Sequence, residues 1–362
     1  MHTAKRLRTP AAALALAALV SVATGTTSAA AGGCAHPRIQ ILDTAPAGSG
    51  GRVDALGRGT IAAGTSAGHP AYWIGTTVVT VPLPARYSTG SVTAINRHDL
   101  MAGTVHDDTT GKNVAFSYRI GAARAHILPG GSYASDVNDS GQIVGGDTTG
   151  GDGTGYVWHG TTVERTLTVP ADLRFTLVTG INDQGTVIAA GSRLVGSAWG
   201  STGLVWPADP AAPVVPLLPI DATDENGLTV VPEDIDEHGR IVGETESYWA
   251  DGSYETYWDA PYTADGTQLT GLPGYYNEGY FHAISPTTGL VAGEAPTSYY
   301  GDPGTAEIWT GSGPIHALPG LAPNQDSGAS AVADNGKAGG FAVDADNVLQ
   351  PVIWTCAAQQ AT

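Results

Sequence analysis

Large aromatic side chains are concentrated between residues 248 and 300, beside residues that can form hydrogen bonds. Tyr and Trp rings can lie flat against the apolar faces of sugars, while nearby carboxylates and amides bind sugar hydroxyls. Exposed aromatics with polar neighbours are typical of binding surfaces, so the pattern predicts a glycan-binding surface in the loops of residues 245–302. A protein partner and inter-repeat packing are the alternatives. The candidate ligand residues are Tyr248, Trp249, Asp251, Tyr254, Glu255, Tyr275, Tyr276, Asn277, Tyr299 and Tyr300.

A second group of oxygen-bearing side chains comprises Asp221, Asp224 and Asn226, directly before Gly227. Oxygen ligands of this kind suit calcium, which is the one candidate cofactor of the chain. The group lacks the alternating Asp-x-Asp-x-Asp-Gly ladder and the distal Glu of a dedicated calcium loop, so a solvated polar loop is the competing interpretation. The histidines are scattered singly, without the spacing of a zinc site.

Patterns for catalysis are weak. The segment at residues 64–68 reads Gly-Thr-Ser-Ala-Gly, like a nucleophile elbow, but His69-Pro70 follows where a helix would have to begin. Glycoside hydrolysis needs two carboxyls on opposite sides of one bond, and four carboxylates lie close together in the sequence. These four are Glu244, Glu246, Asp251 and Glu255.

No motif in the sequence joins a nucleophile, a base and an orienting group. The sequence therefore predicts a non-catalytic binding protein, with no catalytic residue assigned. Two alternatives remain: a secreted glycan hydrolase or lyase, and a structural matrix protein without a small ligand.

The chain is strongly acidic, with 34 Asp and Glu against 16 Lys and Arg and a formal net charge of −18. Without a basic patch, this balance argues against nucleic acid and anionic lipid as partners. It suits a neutral or cationic glycan, such as cellulose or chitosan, better than an anionic one. The expected partner is an extracellular glycan or a protein.

Residues 1–31 have the pattern of a signal peptide. Three basic side chains lie within residues 5–8, an apolar run covers residues 11–22, and residues 28–30 offer a small-residue cleavage site. The run is short for a bilayer span, so the mature protein is predicted to be secreted, extracellular, free of membrane spans and monomeric. Acylation of Cys34 is the competing idea, although this residue lies far beyond the apolar run.

A hairpin signature recurs along the whole mature chain. In its clearest copy, Val137 leads into Asn-Asp-Ser-Gly and a short strand that ends at Gly145; Asn, Asp and Gly favour such turns. About twenty residues after each hairpin a strand ends in an aromatic residue, and a further strand, often ending in Leu-Pro, follows. The copies begin at Val53, Ile95, Val137, Ile181, Ile235, Ile284 and Val332, and their aromatic residues are Trp73, Tyr118, Trp158, Trp206, Trp258, Trp309 and Trp354.

Each repeat thus offers four short strands over a mean period of about 46 residues, which is the length of one propeller blade. The sequence predicts an all-β fold: a single seven-bladed β-propeller over residues 32–362, with the Trp marks buried between blades and the Asn-x-x-Gly turns on one rim. The last repeat lacks its final strand, and residues 38–42 form an orphan strand. The N-terminal strand is therefore predicted to close the last blade. Six or eight blades are the alternative counts.

Cys34 and Cys356 are the only cysteines, and they flank the predicted closure. In an exported protein two cysteines indicate a disulfide, which would fasten the closing blade. Two unrelated free thiols are the alternative.

The stretch from Phe116 to Gly145 resembles the repeat of a known family. It reads Phe-Ser-Tyr, then Leu-Pro-Gly-Gly, then Ala-x-x-Val-Asn-Asp-Ser-Gly-Gln-Ile-Val-Gly. This is similar to the bacterial extracellular HAF-repeat proteins, whose unit runs His-Ala-Phe, Leu-Gly-Gly and Ala-x-x-Ile-Asn-x-x-Gly-x-Val-Val-Gly. The sequence differs from the family unit at the name-giving triplet His-Ala-Phe, because Val114 stands where the family has His. The resemblance implies an exported β-repeat protein of unassigned biochemical role.

Overall fold

The computed structural model describes the chain over residues 36–149, 153–195, 198–217, 228–247, 252–258, 267–269, 279–296 and 304–359. Regular structure in these ranges consists of 28 β-strands without a helix. None of the described residues therefore forms a helix long and apolar enough to span a membrane. Residues Ala35–Thr362 form one compact unit.

The strands are short, as the Gly- and Pro-rich composition predicts. In chain order they are β1 (Arg38–Ile41), β2 (Gly51–Leu56), β3 (Ile61–Ser66), β4 (His69–Ile74), β5 (Thr77–Thr80), β6 (Tyr87–Ile95), β7 (Leu100–Asp107), β8 (Lys112–Arg119), β9 (His126–Ile127), β10 (Tyr133–Val137), β11 (Gln142–Asp147), β12 (Thr154–His159), β13 (Thr162–Leu167), β14 (Leu173–Ile181), β15 (Val187–Val195), β16 (Ala198–Trp206), β17 (Val215–Leu217), β18 (Leu228–Ile235), β19 (Ile241–Ser247), β20 (Gly252–Trp258), β21 (Thr267–Gln268), β22 (Tyr280–Ile284), β23 (Val291–Pro296), β24 (Gly304–Trp309), β25 (His316–Ala317), β26 (Ser327–Val332), β27 (Ala338–Val343) and β28 (Leu349–Thr355).

The described strands form seven four-stranded antiparallel sheets. Six sheets use four consecutive strands, from β2–β5 (the first blade) to β22–β25 (the sixth blade), and the seventh blade has the order β1-β28-β27-β26. Each sheet packs on the next, and the first packs on the seventh, so the sheets form a closed ring. The first strands of neighbouring blades also contact one another all around the ring, which places them at the axis. The predicted seven-bladed β-propeller is confirmed.

The N-terminal strand completes the seventh blade. Strand β1 pairs antiparallel with β28. Just beyond β1, the carbonyl of Asp43 accepts a hydrogen bond from Trp73 Nε1 of the first blade over 2.7 Å. The equivalent bond elsewhere joins Trp158 Nε1 to the carbonyl of Pro129, beside the fourth strand of the preceding blade, over 3.0 Å. Strand β1 therefore takes the place of a fourth strand in its contacts as well as in its pairing.

The core consists of seven apolar clusters, each between two adjacent blades. The aromatic residue that ends each third strand lies inside such an interface, as predicted. Trp73, Trp158 and Trp354 are completely buried. Because removing a buried aromatic side chain destabilises a fold by about 3–5 kcal/mol, these positions hold the blades together.

The Asn-x-x-Gly turns are linked to one another. Asn138 Oδ1 accepts a hydrogen bond from the Gln142 backbone amide inside its own turn, over 2.9 Å. Its Nδ2 donates across the blade interface to the carbonyl of Asn182, over 3.0 Å. The same interblade bond runs from Asn96 to Asn138 and from Asn182 to Asp236. The turns therefore lie on one rim of the ring, as predicted.

The last glycine of the hairpin signature is explained by close packing of the backbone. Gly145 on β11 pairs with Ala134 on β10, and a Cβ at residue 145 would overlap the carbonyl oxygen of Tyr133. Such an overlap requires the backbone to shift, so glycine is favoured at this position. The fourth blade has Ala189 at this position, where it pairs with Val178.

Candidate functional site

Most of the ligand residues predicted from the sequence lie outside the described part of the chain. Tyr254 and Glu255 are the exceptions: their backbone lies in β20 and pairs with Thr245 and Glu244 of β19. The convergence of the predicted residues accordingly stays a prediction. Outside the described ranges are Tyr248, Trp249, Asp251, Tyr275, Tyr276, Asn277, Tyr299 and Tyr300, the candidate calcium ligands Asp221, Asp224 and Asn226, and the cysteine Cys34.

The strand ends that flank the predicted aromatic segments are described. Ser247 of β19 pairs with Gly252 of β20, and Pro296 of β23 pairs with Gly304 of β24. A third aromatic-bearing connection follows β21 and leads to β22. Because the strands of a blade alternate in direction, second-to-third connections and blade-to-blade connections emerge opposite the Asn-x-x-Gly turns. We call this end of the ring the loop face. All three segments are attached to it, on the adjacent fifth and sixth blades.

Every first strand carries a β-bulge at an equivalent position. In the third blade the register passes from Ala134 to Asp136, so Ser135 is the extra residue. In all seven blades the residue before the bulge is buried and the bulge residue is half-buried, as expected for side chains that line the central channel. In blade order the bulge residues are Asp54, Thr93, Ser135, Thr179, Glu233, His282 and Ser330.

In the second, third and fourth blades the bulge residue has a structural role. Thr93 Oγ1 donates its shorter hydrogen bond to the carbonyl of Ala134 in the third blade, over 2.8 Å, and lies 3.2 Å from the carbonyl of Ala102 on its own second strand. Ser135 Oγ and Thr179 Oγ1 donate to the second strands of their own blades over 3.3 and 3.5 Å. A bulge interrupts the ladder between two strands, and the hydroxyl supplies a hydrogen bond where the ladder is broken.

In the fifth, sixth, seventh and first blades, which are consecutive around the ring, this arrangement changes. The equivalent residues are Glu233, His282, Ser330 and Asp54, and only one of them is a hydroxyl. The four positions form one continuous half of the channel wall. We call the polar group on this side the channel cluster. Its members are Arg52, Asp54, Glu233, His282, Glu294 and Ser330.

Arg52 connects the two sides of the ring closure. Its guanidinium donates hydrogen bonds to Asp54 Oδ1 in its own strand and to Ser330 Oγ in the seventh blade, the latter over 3.3 Å. The same group lies 6.0 Å from the ring centroid of Phe341, a cation–π arrangement. The positive charge of Arg52 is thus held beside Asp54.

Glu294 lies at the loop-face end of the cluster. It pairs with Tyr280, the first residue of β22. Its Oε2 lies 2.5 Å from the point where Gly328 would carry a Cβ, and its Oε1 occupies the corresponding space at Gly304. Two glycines therefore leave room for this carboxylate between the sixth and seventh blades. Gly304 is the first described residue after residues 297–303, so Glu294 lies beside the described start of β24 at the loop face.

Burial dominates the electrostatics of the cluster. It raises the pKa of Glu294 to about 7, an effect that nearby Asp326 increases and Arg52 opposes. Burial alone raises the pKa of Glu233 to about 7. Burial also lowers the pKa of His282 to about 4, helped by the charge of Arg52. At neutral pH His282 is therefore uncharged, while each glutamate is divided between its acid and its carboxylate forms.

Asp54 is the member of the cluster with a close cationic partner. Burial raises its pKa to about 6, and the charge and hydrogen bond of Arg52 oppose this rise. Next to this pair, the rings of His282 and Tyr280 are stacked with their centroids 6.5 Å apart. The cluster thus combines carboxyl groups, one guanidinium, a neutral imidazole and an aromatic face, which is a lining suited to a polar ligand.

The described ranges contain no group of three His, Cys, Asp or Glu side chains arranged to hold a metal ion. A cleft of about 240 Å³ lies between the first and seventh blades, with Leu42, Leu56, Ile61 and Lys337 in its lining. Its largely apolar lining includes no carboxylate, and it lies at the ends of the strands away from the loop face.

Comparisons with known proteins support the fold alone. No family model and no curated protein matches the sequence. The β-propeller domain of the Trilobed protease from Pyrococcus furiosus aligns with a TM-score of 0.57 and 8% identity, covering 84% of this chain and 95% of that chain. TolB from Acinetobacter baumannii aligns with a TM-score of 0.43 and 9% identity, covering 84% and 79%. Aleuria aurantia lectin, solved with alpha-methyl-L-fucoside, has a TM-score of 0.40 and 12% identity, covering 76% and 95%. The TM-scores of 0.43 and 0.40 are too low to support any inference about this chain.

The channel cluster was not among the sites predicted from the sequence. A signal for it exists, because each bulge residue stands three places before the first position of its turn. Aligning the seven repeats at the turn would place Glu233 and His282 opposite Thr93, Ser135 and Thr179. The departure from hydroxyl side chains is visible in that alignment, but its meaning depends on the bulge, which only the strand register reveals.

Proposed function

We propose that the chain is a secreted binding protein that recognises an extracellular glycan at the loop face of its fifth and sixth blades. The observation that carries this proposal is the attachment of three aromatic-bearing segments to the same face of two adjacent blades. Segments attached to adjacent blades at one face can contribute together to the binding of one extended ligand. The propeller is the rigid scaffold on which such loops carry function.

The chemistry of the loop face supports a sugar ligand. Trp249 and Tyr276 offer flat apolar surfaces for the C–H faces of sugar rings, and Asp251 and Asn277 stand beside them in sequence for the hydroxyls. Glu294 lies at the same face, next to Gly304. The net charge of −18 favours a neutral or cationic glycan over an anionic one. The signal-peptide pattern of residues 1–31 supports secretion.

A glycan array tests this function. The mature chain, residues 32–362, is screened on neutral, cationic and anionic glycans, and the best ligand is measured by calorimetry. Trp249→Ala and Tyr276→Ala are each expected to weaken binding about tenfold or more, since one stacked ring contributes roughly 1–3 kcal/mol. Tyr87→Ala, an aromatic substitution at the start of β6 in the second blade, is the matched control and is expected to bind normally. A silent array, or equal losses in all three variants, would refute the glycan surface.

One observation favours a second candidate function, a secreted glycan hydrolase or lyase. The pKa of both Glu233 and Glu294 is raised to about 7, the range of an effective general acid. A screen of extracellular polysaccharides for reducing ends or unsaturated products tests it. Turnover that disappears in Glu294→Gln, with ligand binding retained, would establish the enzyme. Self-association of the chain without saccharide binding would instead indicate a structural matrix protein.

A further inference from the structure

The turn residues at the interface between the seventh and first blades differ from those at other interfaces. In the second, third and fourth blades the first position of the turn is Asn, whose side-chain amide donates to the carbonyl of the equivalent residue in the next blade. The backbone hydrogen bonds of the turns identify the equivalent residues of the seventh and first blades as Ala333 and Gly57. Ala333 ends in a methyl group, so it supplies no donor to the carbonyl of Gly57.

The cleft of about 240 Å³ lies at this same interface, and Gly57 and Ala333 both line it. The next interface shows another outcome of a missing Asn side chain. There a Cβ on Gly57 would lie 3.1 Å from Ile95 Cδ1, so a side chain of the second blade fills the space beside this glycine. Packing thus compensates for the smaller residue between the first and second blades, whereas a cleft remains between the seventh and first.

The lining of the cleft combines an apolar wall with one cation. The apolar residues include Leu42, Ile61 and Ile353. Lys337 is half-buried, and its Nζ donates to the carbonyl of Gly59 over 3.1 Å. Because an ammonium carries three donors, this bond leaves two of them for other acceptors. None of the described lining residues is Asp or Glu.

Charge and size together select a class of ligand. The chain has a formal net charge of −18, so a lysine in a lining without a carboxylate is an exception to its overall charge. A carboxylate would make a charge-assisted hydrogen bond with this ammonium, whereas a cationic group would be repelled. A volume of 240 Å³ equals that of roughly eight water molecules, which suits a ligand with about that many non-hydrogen atoms.

We propose that the cleft between the first and seventh blades binds a small organic acid, with its carboxylate on Lys337 and its short apolar body against Leu42, Ile61 and Ile353. The cleft lies at the ends of the strands away from the loop face. This second site is therefore separate from the proposed glycan surface, and the inference does not depend on glycan binding.

Three probes that share a six-carbon chain test the inference by calorimetry: hexanoate, 1-hexanol and hexylammonium. They differ in the charge of the head group alone. At pH 7 we expect the wild-type chain to bind hexanoate about tenfold more tightly than hexanol, as for one charge-assisted hydrogen bond, and to bind hexylammonium least. Equal affinity for hexanoate and hexanol, or no binding of hexanoate at millimolar concentration, overturns the inference.

Lys337→Met tests the cation. The variant keeps an apolar stem and removes the charge. It should weaken hexanoate binding about tenfold and leave hexanol binding unchanged, a combination that general loss of the fold would not produce. Lys112→Met, at an exposed position of β8 in the second blade, is the matched control and should bind both probes as wild type does. A preference for hexanoate retained in Lys337→Met overturns the inference.

Ala333→Asn tests the position of the ligand. It introduces the residue of the second, third and fourth blades, which should fill part of the cleft and donate to Gly57 as Asn138 donates to Asn182. Hexanoate binding should be lost while the unfolding temperature is kept or raised. Ala123→Asn, at an exposed alanine of the second blade, is the matched control and should bind normally. Wild-type hexanoate affinity in Ala333→Asn would place the ligand elsewhere and overturn the inference.

Hydrogen exchange provides an independent measurement. The lining includes Gln40 of β1 and Thr355 of β28 together with residues of the first blade, so a bound acid contacts both sides of the ring closure. A ligand that binds the folded state alone opposes opening of the elements it contacts. Saturating hexanoate should therefore slow exchange at the amides of β1 in the wild type. Unchanged exchange there would contradict binding in this cleft.

Discussion

The side-chain amide of Asn138 donates a hydrogen bond to the backbone carbonyl of Asn182, in the turn of the next blade, over 3.0 Å. A residue that sequence reasoning identifies only as a turn former is thus also a connection between blades. Its Oδ1 stabilises the local turn, and its Nδ2 holds the neighbouring one. The recurrence of Asn at this place is explained by the two tasks together.

Asn138→Ala should therefore destabilise the protein more than a turn substitution normally does. The side chain is buried, and its loss leaves the Gln142 amide without this acceptor and removes the interblade donor to the Asn182 carbonyl, which keeps only the bond from the Gly185 amide. We expect a loss of about 2–4 kcal/mol in the free energy of unfolding, measured by urea denaturation. Ser140→Ala changes an exposed residue of the same turn and should stay within roughly 0.5 kcal/mol of wild type. Similar losses in the two variants would contradict the interblade role.

The raised pKa of Glu294 predicts a specific pH dependence. Burial raises this pKa from its ordinary value of 4.5 to about 7, so the folded state binds the proton more tightly than the unfolded state. The stabilising contribution is complete below 4.5 and is lost as the pH rises through about 7. Glu294→Gln, which cannot ionise, should accordingly reduce the fall in unfolding free energy between these two pH values.

Asp344→Asn is the control of opposite sign for that experiment. Hydrogen bonds, first of all from the Val348 amide, lower the pKa of Asp344 below its ordinary 3.8. Its contribution is complete above that value and is lost only in more acidic solution. The Asp344→Asn curve should therefore run parallel to wild type between pH 4.5 and about 7. A parallel curve for Glu294→Gln would show that Glu294 does not titrate as described.

Trp73→Phe tests the ring closure. It removes the hydrogen bond to the carbonyl of Asp43, which follows β1. We expect faster hydrogen exchange at the amides of β1, because this strand loses a contact with the first blade. Trp158→Phe removes the equivalent bond to Pro129 at an interface that lies within the continuous chain. The two variants should lose similar stability, about 1–3 kcal/mol, but only the first should expose β1 to exchange. Unchanged exchange in Trp73→Phe would contradict this.

The predicted disulfide between Cys34 and Cys356 can be tested although Cys34 lies outside the described ranges. Cys356 follows β28 directly, and the described part of the chain contains no free cysteine. If Cys34 and Cys356 form the predicted disulfide, the intact mass of the protein produced as residues 32–362 is two hydrogens lower before reduction than after. Cys34→Ser should lower the free energy of unfolding by up to about 4–5 kcal/mol, the chain-entropy value for a long loop. An unchanged mass on reduction would refute the pairing.

The blades could be predicted because their determinants recur. Trp158 or an equivalent aromatic stands in every repeat, at a fixed place relative to turns such as that of Asn138, so each copy supports the reading of the others. Period and strand number then select the propeller. The orphan strand at residues 38–42 indicated the closure because the last repeat lacks its final strand.

The channel cluster could not be predicted in the same way. Glu233 stands beside Asp234 in β18, and His282 stands between Phe281 and Ala283 in β22; polar residues in such short strands usually face solvent. Their position in the channel follows from the bulge, which shifts the alternation by one place, and from the packing of seven first strands around one axis. The aromatic segments of residues 245–302 are not repeated, so no second copy helps to place them.

The pairing of β1 with β28 has a consequence for association between molecules. Strand β1 is far in sequence from its partner β28. Thr355 Oγ1 of β28 donates a hydrogen bond to the carbonyl of Arg38 in β1, over 3.5 Å. Whenever β1 detaches, β28 becomes an open sheet edge with the same hydrogen-bonding groups and side-chain pockets. The β1 strand of another molecule fits that edge equally well. Concentrated protein under mildly destabilising conditions should therefore exchange N-terminal strands and form dimers or chains of otherwise native rings.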